Sequence, residues 1–231
     1  MSKKRILINS IVIFFLISQI ALAIKLEEIL EKVEKQKEIL NDMEAIITMN
    51  KLVGNRIFTE KAKYYYKKPA MIRMEYSPSG LIVITKGDEV MIKEISSSGS
   101  RVIKKPIETE IISVDGEKLK FIDKYYITID EVESKGNIYK LNCYSKILES
   151  KYLKIELYID YDKGVIIKIK GYDRNNKIMY ERENKDYHLM SNCWFPYKVI
   201  TKYYQPNIIT VENIFEEIEI NKGIDDSMFK F

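Results

Sequence analysis

The side chains that most often carry out catalysis are sparse in this chain of 231 residues. It contains one histidine, His188, and two cysteines, Cys143 and Cys193. Metal centres and nucleophilic triads need several such groups together, and neither cysteine has a close-spaced partner. His188 stands in the stretch DYHLM, and no nucleophile-elbow sequence is present to pair with it. The pattern favours a solvated strand histidine over a metal ligand or a catalytic base.

Acidic pairs and glycine turns give no stronger indication of an enzyme. The pairs Asp225-Asp226 and Glu216-Glu217 fit solvated turn and edge positions better than an acid–base pair. The turn Lys86-Gly87-Asp88 lacks the glycine spacing that lets several backbone amides converge on a phosphate. We therefore expect no enzymatic activity, no cofactor and no metal.

The two cysteines admit two interpretations. In an oxidising compartment Cys143 and Cys193 could form a disulfide. It would close a loop of about 50 residues and stabilise the fold by about 3–4 kcal/mol. The alternative is two buried free thiols in different strands. The sequence does not give the distance between them, so both interpretations stay open.

The first 23 residues have the layout of a secretory signal peptide. A basic cluster at 3–5 precedes an apolar run over 6–20, and a small-x-small pattern ends at Ala23. An uncleaved membrane anchor is the alternative, but the run is shorter than the roughly 20 residues that span a bilayer and contains polar breaks. We expect cleavage after Ala23, which leaves 24–231 as a single exported domain.

Most of the net positive charge lies in this leader. The formal charge of the whole chain is +4, and the leader carries three basic residues and no acidic one. The remaining chain is close to neutral. It therefore shows no bias toward nucleic acid or an anionic membrane surface.

Hydrophobic periodicity predicts one helix followed by many strands. Over 24–45, apolar residues recur at helical spacing with charged residues between them, which indicates an amphipathic helix that needs an apolar surface. Beyond it, short runs rich in Ile, Val, Tyr and Thr alternate with turn residues, which is typical of antiparallel hairpins. The predicted strands are 45–53, 57–67, 70–77, 80–86, 89–95, 137–147, 151–161, 164–172, 177–187, 194–204 and 207–221. The segment 105–133 is expected to leave the sheet and return, with a short helix at about 117–124.

Alternation within the strands predicts a sheet that is buried on one face and curled. Leu153, Ile155, Leu157 and Ile159 share one face, while charged and tyrosine residues take the other. A sheet of about eleven strands accumulates twist and cannot stay flat. The predicted fold class is α+β: a strongly curved antiparallel sheet, forming an unclosed half-barrel, covered by the N-terminal helix and short lid helices. If its interior is only partly filled, it offers an apolar cavity suited to an acyl chain.

Residues 24–231 resemble the LolA-like family of periplasmic lipoprotein carriers. The resemblance rests on Lys68-Pro69 followed by MIRMEY, on the hairpin LIVITKGDEVMIKE, and on the ending NKGIDDSMF. The family's hairpin has its acid before its glycine, and here the order is Gly87-Asp88. The resemblance implies a half-open barrel, located in the periplasm, that shields the acyl chains of lipoproteins. Such carriers receive cargo from an inner-membrane lipoprotein-releasing transporter and pass it to an outer-membrane acceptor.

The resemblance also implies roles for particular residues. An arginine before the proline bonds the lid in characterised carriers, so Lys68 is the candidate lid latch, although lysine lacks the planar fork of arginine. The cavity-lining candidates are Ile72, Met74, Ile82, Ile84, Leu153, Ile155, Leu157 and Ile159. Which face of the MIRMEY strand points inward stays open.

Three functions remain open at this point. The first is a monomeric carrier of acylated lipoproteins. The second is a LolA-like regulatory domain that senses a lipid or a lipoprotein. The third is a non-enzymatic periplasmic chaperone or structural protein whose interior is filled and holds no ligand.

Overall fold

The computed structural model describes residues 26–87, 89–96, 99–106 and 124–230. These residues begin with a helix, α1, over 26–39; the predicted leader lies outside them. The predicted helix is therefore too long, because Met43 and Ala45 already lie in the first strand and pair with its neighbour. The run of β-branched residues just beyond them suits a pleated strand, which explains why the helix stops early.

Thirteen strands follow α1 within the described residues and form one antiparallel sheet. They are β1 (Asp42–Val53), β2 (Arg56–Lys67), β3 (Met71–Ser77), β4 (Ile82–Lys86), β5 (Glu89–Ser96), β6 (Gly99–Pro106), β7 (Tyr125–Lys135), β8 (Ile138–Ser145), β9 (Lys154–Asp160), β10 (Val165–Tyr172), β11 (Ile178–Met190), β12 (Cys193–Tyr203) and β13 (Ile209–Ile220). Their order across the sheet is β6-β5-β4-β3-β2-β1-β13-β12-β11-β10-β9-β8-β7. The sheet is unclosed, with β6 and β7 as its edges, which confirms the predicted half-barrel covered by an N-terminal helix.

The eleven predicted strands are all present, and β6 and β7 were not predicted. β7 lies mostly within the segment 105–133 that was expected to leave the sheet, whereas β6 lies almost entirely before it. Each is an edge strand that pairs on one side only, so it needs less apolar pattern than a central strand. The acids of β7, such as Asp130 and Glu133, obscure its alternation further. The predicted helix at 117–124 falls on residues outside the described ones, apart from Lys124.

α1 covers one face of the sheet, which we call the inner face; the opposite face is the outer face. Ile29 and Val33 of α1 are buried against aliphatic and tyrosine side chains of β7 to β11. Burying such a side chain contributes about 1.5–3 kcal/mol. The amphipathic helix predicted from the sequence thus has the apolar surface that it requires.

A network of ion pairs covers the outer face of β8 to β11. Lys140 lies 3.3 Å from Glu156, and both side chains are almost fully buried. Lys168 lies 2.7 Å from Glu181 and 2.8 Å from Glu183. The hydrogen bond from Lys168 contributes most to lowering the pKa of Glu183 to about 2. The charged side chains on this part of the outer face are therefore buried together with oppositely charged partners.

The C-terminal segment covers a different part of the outer face. Its 3-10 helix, Asp226–Phe229, buries Phe229 in a cluster that includes Ile84 of β4. The Nη1 atom of Arg73 donates a hydrogen bond of 2.8 Å to the carbonyl of Met228. The sheet is therefore covered on both faces: by α1 on the inner face and by the C-terminus on the outer face.

Candidate functional site

A cavity of about 90 Å³ lies between the C-terminal half of α1 and the inner face. Its walls are mostly apolar and include Leu40, Met43, Tyr64, Phe195, Val199 and Phe215. Pockets that hold organic ligands usually measure about 300–1,000 Å³. The cavity in this conformation is therefore smaller than a typical ligand pocket.

The strand that contains MIRMEY turns Ile72 and Met74 to the inner face. They lie directly across from Tyr66 and Tyr64 of β2 and pack on the cluster around these rings. Tyr64 itself lines the cavity. The structure therefore places these two candidates beside the cavity.

The candidates of the 153–159 stretch lie under α1. Ile155, Leu157 and Ile159 are 1–2% exposed and belong to the cluster that α1 covers. Leu153 precedes β9 and is half-buried. These three side chains of β9 are thus part of the filled core beneath α1 and are not among the residues that line the cavity.

Ile82 and Ile84 lie on the outer face, so they do not line the cavity. Ile84 pairs with Arg73, which neighbours Ile72 and therefore points to the opposite side of the sheet. It is fully buried against Phe229. The sequence could not have decided this, because β4 is apolar on both faces.

Lys68 contacts the last turn of α1. Its Nζ atom donates a hydrogen bond of 2.8 Å to the carbonyl of Glu38, and its backbone N–H donates one of 2.9 Å to the carbonyl of Asn41. A cation at the C-terminal end of a helix meets the negative end of the helix dipole. The candidate latch therefore touches the helix that covers the cavity.

The residues after β13 hold the same end of α1. The side chain of Asn221 accepts a hydrogen bond of 2.7 Å from the N–H of Asn41 and donates one of 2.8 Å to the carbonyl of Ile39. The buried carboxylate of Asp42 accepts one of 2.8 Å from the N–H of Lys222. These contacts, the C-terminal anchor of α1, join segments that are far apart in sequence and were not predicted.

The β9–β10 turn holds the N-terminal half of α1. The Tyr161 hydroxyl donates a hydrogen bond to the carboxylate of Glu28, and the Lys32 ammonium lies 3.7 Å from the centre of the Tyr161 ring. Gly164 is so close to the helix that a Cβ atom there would lie 2.8 Å from the carbonyl oxygen of Lys32. Only glycine fits at this contact, where φ is +65°. The turn was predicted, but its contact with α1 was not.

Polar side chains enter the cavity from β11. Arg182 and Tyr187 line it. The Arg182 Nε atom donates a hydrogen bond of 3.0 Å to the Asn184 side-chain oxygen, and the Asn184 amide donates one of 2.7 Å to the carbonyl of Ile166. The Tyr187 hydroxyl donates one of 2.8 Å to the same carbonyl. Burial raises the pKa of Tyr187, so its hydroxyl stays protonated as the donor.

Arg182 was overlooked in the sequence, although the alternation in β11 holds a signal for it. Glu181 and Glu183 pair with Lys168 on the outer face, so the residue between them must point inward. A charged residue at an inward position of a half-buried strand is uncommon, because burying a charge is costly.

Both cysteines are free and buried, so the candidate disulfide is not formed. Cys143 lies in β8 within the cluster under α1, and Cys193 lies in β12 in a separate cluster. Burial raises the pKa of Cys143 to about 12. Cys193 lines the cavity, and burial raises its pKa as well. Thiols of this kind are poor nucleophiles.

The remaining chemistry-bearing residues have structural surroundings. His188 is exposed in β11, and its ring centre lies 4.3 Å from that of Tyr197. Asp225 accepts a hydrogen bond of 2.7 Å from the N–H of Ser227 at the start of the 3-10 helix. In the part of the chain that the structure describes, no group of three or more His, Cys, Asp and Glu side chains could hold a metal ion. Among the same residues, no helix has the length and apolar character needed to cross a membrane.

Comparison with solved structures identifies the fold. A LolA superfamily protein from Nitrosomonas europaea shares 12% identity and superposes with a TM-score of 0.65 over 89% of this chain and 97% of the other. A domain from Vibrio parahaemolyticus that is inferred to sort outer-membrane lipoproteins shares 12% identity and superposes with a TM-score of 0.64, over 87% of this chain and 95% of the other. A DUF1329 family protein from Desulfovibrio piger shares 12% identity and superposes with a TM-score of 0.68, over 88% of this chain and 96% of the other. The chain has the LolA-like fold, as the sequence resemblance implied.

Sequence comparison adds the family. A family model described only as an uncharacterized protein matches residues 93–231, more than half of the chain. The chain belongs to that family. No curated protein matches its sequence.

Proposed function

We propose that this protein is an exported, non-enzymatic carrier that shields the acyl chains of lipoproteins beneath α1. The observation that supports it most is the inner face itself. A large apolar surface lies under the amphipathic helix α1, with a cavity left between the two. The LolA-like fold supports the same proposal. After cleavage at Ala23 the protein works in the periplasm, between an inner-membrane transporter and an outer-membrane acceptor.

Cargo uptake requires α1 to lift from the sheet. Exposing Ile29 and Val33 would cost about 3–6 kcal/mol, at about 1.5–3 kcal/mol for each side chain. Each methylene of an entering chain gains about 0.8 kcal/mol, so a chain of about ten methylenes recovers about 8 kcal/mol. The cargo can therefore offset the opening, and the empty protein stays closed.

Polar contacts set how readily α1 lifts. Lys68 holds its C-terminal end, and Tyr161 holds its N-terminal half through Glu28 and Lys32. We propose Lys68 as the latch. Its hydrogen bond to the carbonyl of Glu38 is exposed to solvent, so it stabilises the closed position of α1 only modestly. Ile72 and Met74 then line the opened cavity together with the β9 side chains.

Cross-linking α1 to the sheet tests the proposal. A Cβ atom at Gly164 would lie 3.1 Å from the Cγ atom of Gln36, so the double substitution Gln36→Cys and Gly164→Cys brings two thiols within reach of a disulfide. Cys193 is replaced by serine in the same protein, because it lines this cavity. The new side chain at residue 164 crowds Lys32 in the reduced and in the oxidised form alike, so the two forms of this one variant differ only in whether α1 can move.

The assay is release of an acylated lipoprotein from inner-membrane vesicles. The reduced protein should release it and the oxidised protein should not. Equal release by both forms would show that cargo does not bind beneath α1. If the unmodified protein neither releases lipoprotein nor carries lipid, the interior is filled and the chaperone or structural alternative replaces the carrier.

A further inference from the structure

The cavity beneath α1 is mostly apolar but is also lined by cationic side chains. Lys37 of α1 and Arg182 of β11 both line it. No Asp or Glu is among the described residues that form its wall. A cavity made only for uncharged acyl chains would have no need of a cation, since a charge is costly to bury in apolar surroundings.

Arg182 is held in position with its terminal nitrogens unused. Among the described residues, Arg182 forms one hydrogen bond, from its Nε atom to the Asn184 side chain, which is 4% exposed and fixed in turn by the carbonyl of Ile166. In the described part of the chain, the two Nη groups have no hydrogen-bond or ion-pair partner. The residues across from Arg182 in the neighbouring strands are Ile169 and Thr201, neither of which can neutralise it.

We propose that the cavity binds an acyl chain with an anionic headgroup, and that Arg182 is the residue that binds the headgroup. The inference rests on the proposed function, because the chain occupies the same space beneath α1. The free edge of a guanidinium group offers two parallel N–H donors that match the two oxygens of a carboxylate or a phosphate. The apolar walls around Leu40 and Phe215 would receive the chain. A fatty acid and a monoalkyl phosphate share this chemistry.

Three ligands with one chain length separate the headgroup from the tail. Dodecanoate, dodecyl phosphate and dodecanol are titrated into the protein, as recovered after export, by calorimetry at a pH where the acid is ionised. Hydrogen bonds to charged groups make dodecanoate bind about tenfold to hundredfold more tightly than dodecanol. Equal preference for dodecyl phosphate identifies a general anion site, and preference for dodecanoate alone identifies a fatty acid site.

Substitution of Arg182 gives the second comparison. Arg182→Gln should bind dodecanoate no better than dodecanol, whereas Arg182→Lys should keep part of the preference. Arg56→Gln is the matched control, because it removes the same charge from an exposed residue of the β1–β2 hairpin. Preference that survives in Arg182→Gln would assign the headgroup to another residue and overturn the inference.

The outcomes also distinguish this inference from the proposed function. If the unaltered protein binds dodecanol as tightly as dodecanoate, the acyl-chain cavity stands and the anion site is refuted. If it binds none of the three ligands, the proposed function fails together with the inference. Because these results come from the unaltered protein, they hold even if Arg182→Gln does not fold, which circular dichroism would show.

Discussion

Replacing Gly164 by alanine would measure how tightly α1 is packed against the β9–β10 turn. The new Cβ atom would lie 2.8 Å from the backbone carbonyl oxygen of Lys32, whereas ordinary van der Waals contact begins at 3.4 Å. The obstacle is backbone and not the end of a flexible side chain. Either α1 or the turn must therefore move by several tenths of an ångström.

Gly54 provides a control with the same backbone conformation. Its φ is +59°, close to the +65° of Gly164, but a Cβ atom there would meet nothing within 4 Å. Alanine in the left-handed region costs about 1–2 kcal/mol at either position. Overpacking against Lys32 adds about 1–3 kcal/mol at Gly164 alone. We expect losses in the free energy of unfolding of about 2–5 kcal/mol for Gly164→Ala and about 1–2 kcal/mol for Gly54→Ala.

Urea unfolding of the unaltered protein, Gly164→Ala and Gly54→Ala measures these losses in the free energy of unfolding. The same samples should also differ in dodecanoate binding. Because Gly164→Ala pushes α1 away from the sheet, it raises the population of the open form, and the apparent affinity for the ligand should rise as the stability falls. Gly54→Ala should lose stability without any gain in affinity.

Two results would refute this reasoning. Equal destabilisation by the two substitutions would mean that α1 does not rest on the turn. Lower affinity in Gly164→Ala would mean that the ligand binds the closed form and needs α1 in place.

Three further predictions concern other contacts. Lys68→Arg should slow cargo release from the protein, because a planar fork can hold the end of α1 with more than one bond; an unchanged release rate would show that this contact is no latch. The hydrogen bond from Lys168 is the main cause that lowers the pKa of Glu183 to about 2, so ionised Glu183 stabilises the fold fully above about pH 4.5, and this stabilisation is lost as the pH falls toward 2. The free energy of unfolding should therefore fall less steeply with decreasing pH in Glu183→Gln than in the unaltered protein. An identical pH profile of the two proteins would contradict this. Cys143 and Cys193 should react with a thiol reagent only after denaturation, and a reductant should leave the melting temperature unchanged; rapid labelling of the folded protein would show that the buried thiols are accessible.

Periodicity was sufficient to predict the elements that bury a regular apolar stripe. The alternation through Ile155 and Leu157 defined a half-buried strand, and the helical spacing through Ile29 and Val33 defined the helix above it. The end of α1 was not predictable in this way. The composition of residues 40–45 is compatible with a helix or a strand. They form a strand from residue 42 because β1 hydrogen-bonds to β2 on one side and β13 on the other.

The candidate site was predictable only where a strand has one apolar face. In β3 the charges on Arg73 and Glu75 leave only one side for Ile72 and Met74, and that side is the inner one. In β4 both sides are apolar, so the outer position of Ile84 depends on the C-terminal segment that covers it. The contacts of Lys68 and Asn221 with α1 depend on the tertiary fold, and no local pattern encodes them.

The C-terminal anchor of α1 also sets the order in which the molecule can be completed. Asn221 bonds Asn41 across 180 positions of sequence, and β1 needs β13 as its second neighbour. Contacts of such separation form slowly and late, and the N-terminal part of a chain is made first. During synthesis α1 is therefore made well before the segment that secures it. Until the last strand is in place, α1 is not anchored over the apolar inner face, and that face is exposed to aggregation for the interval.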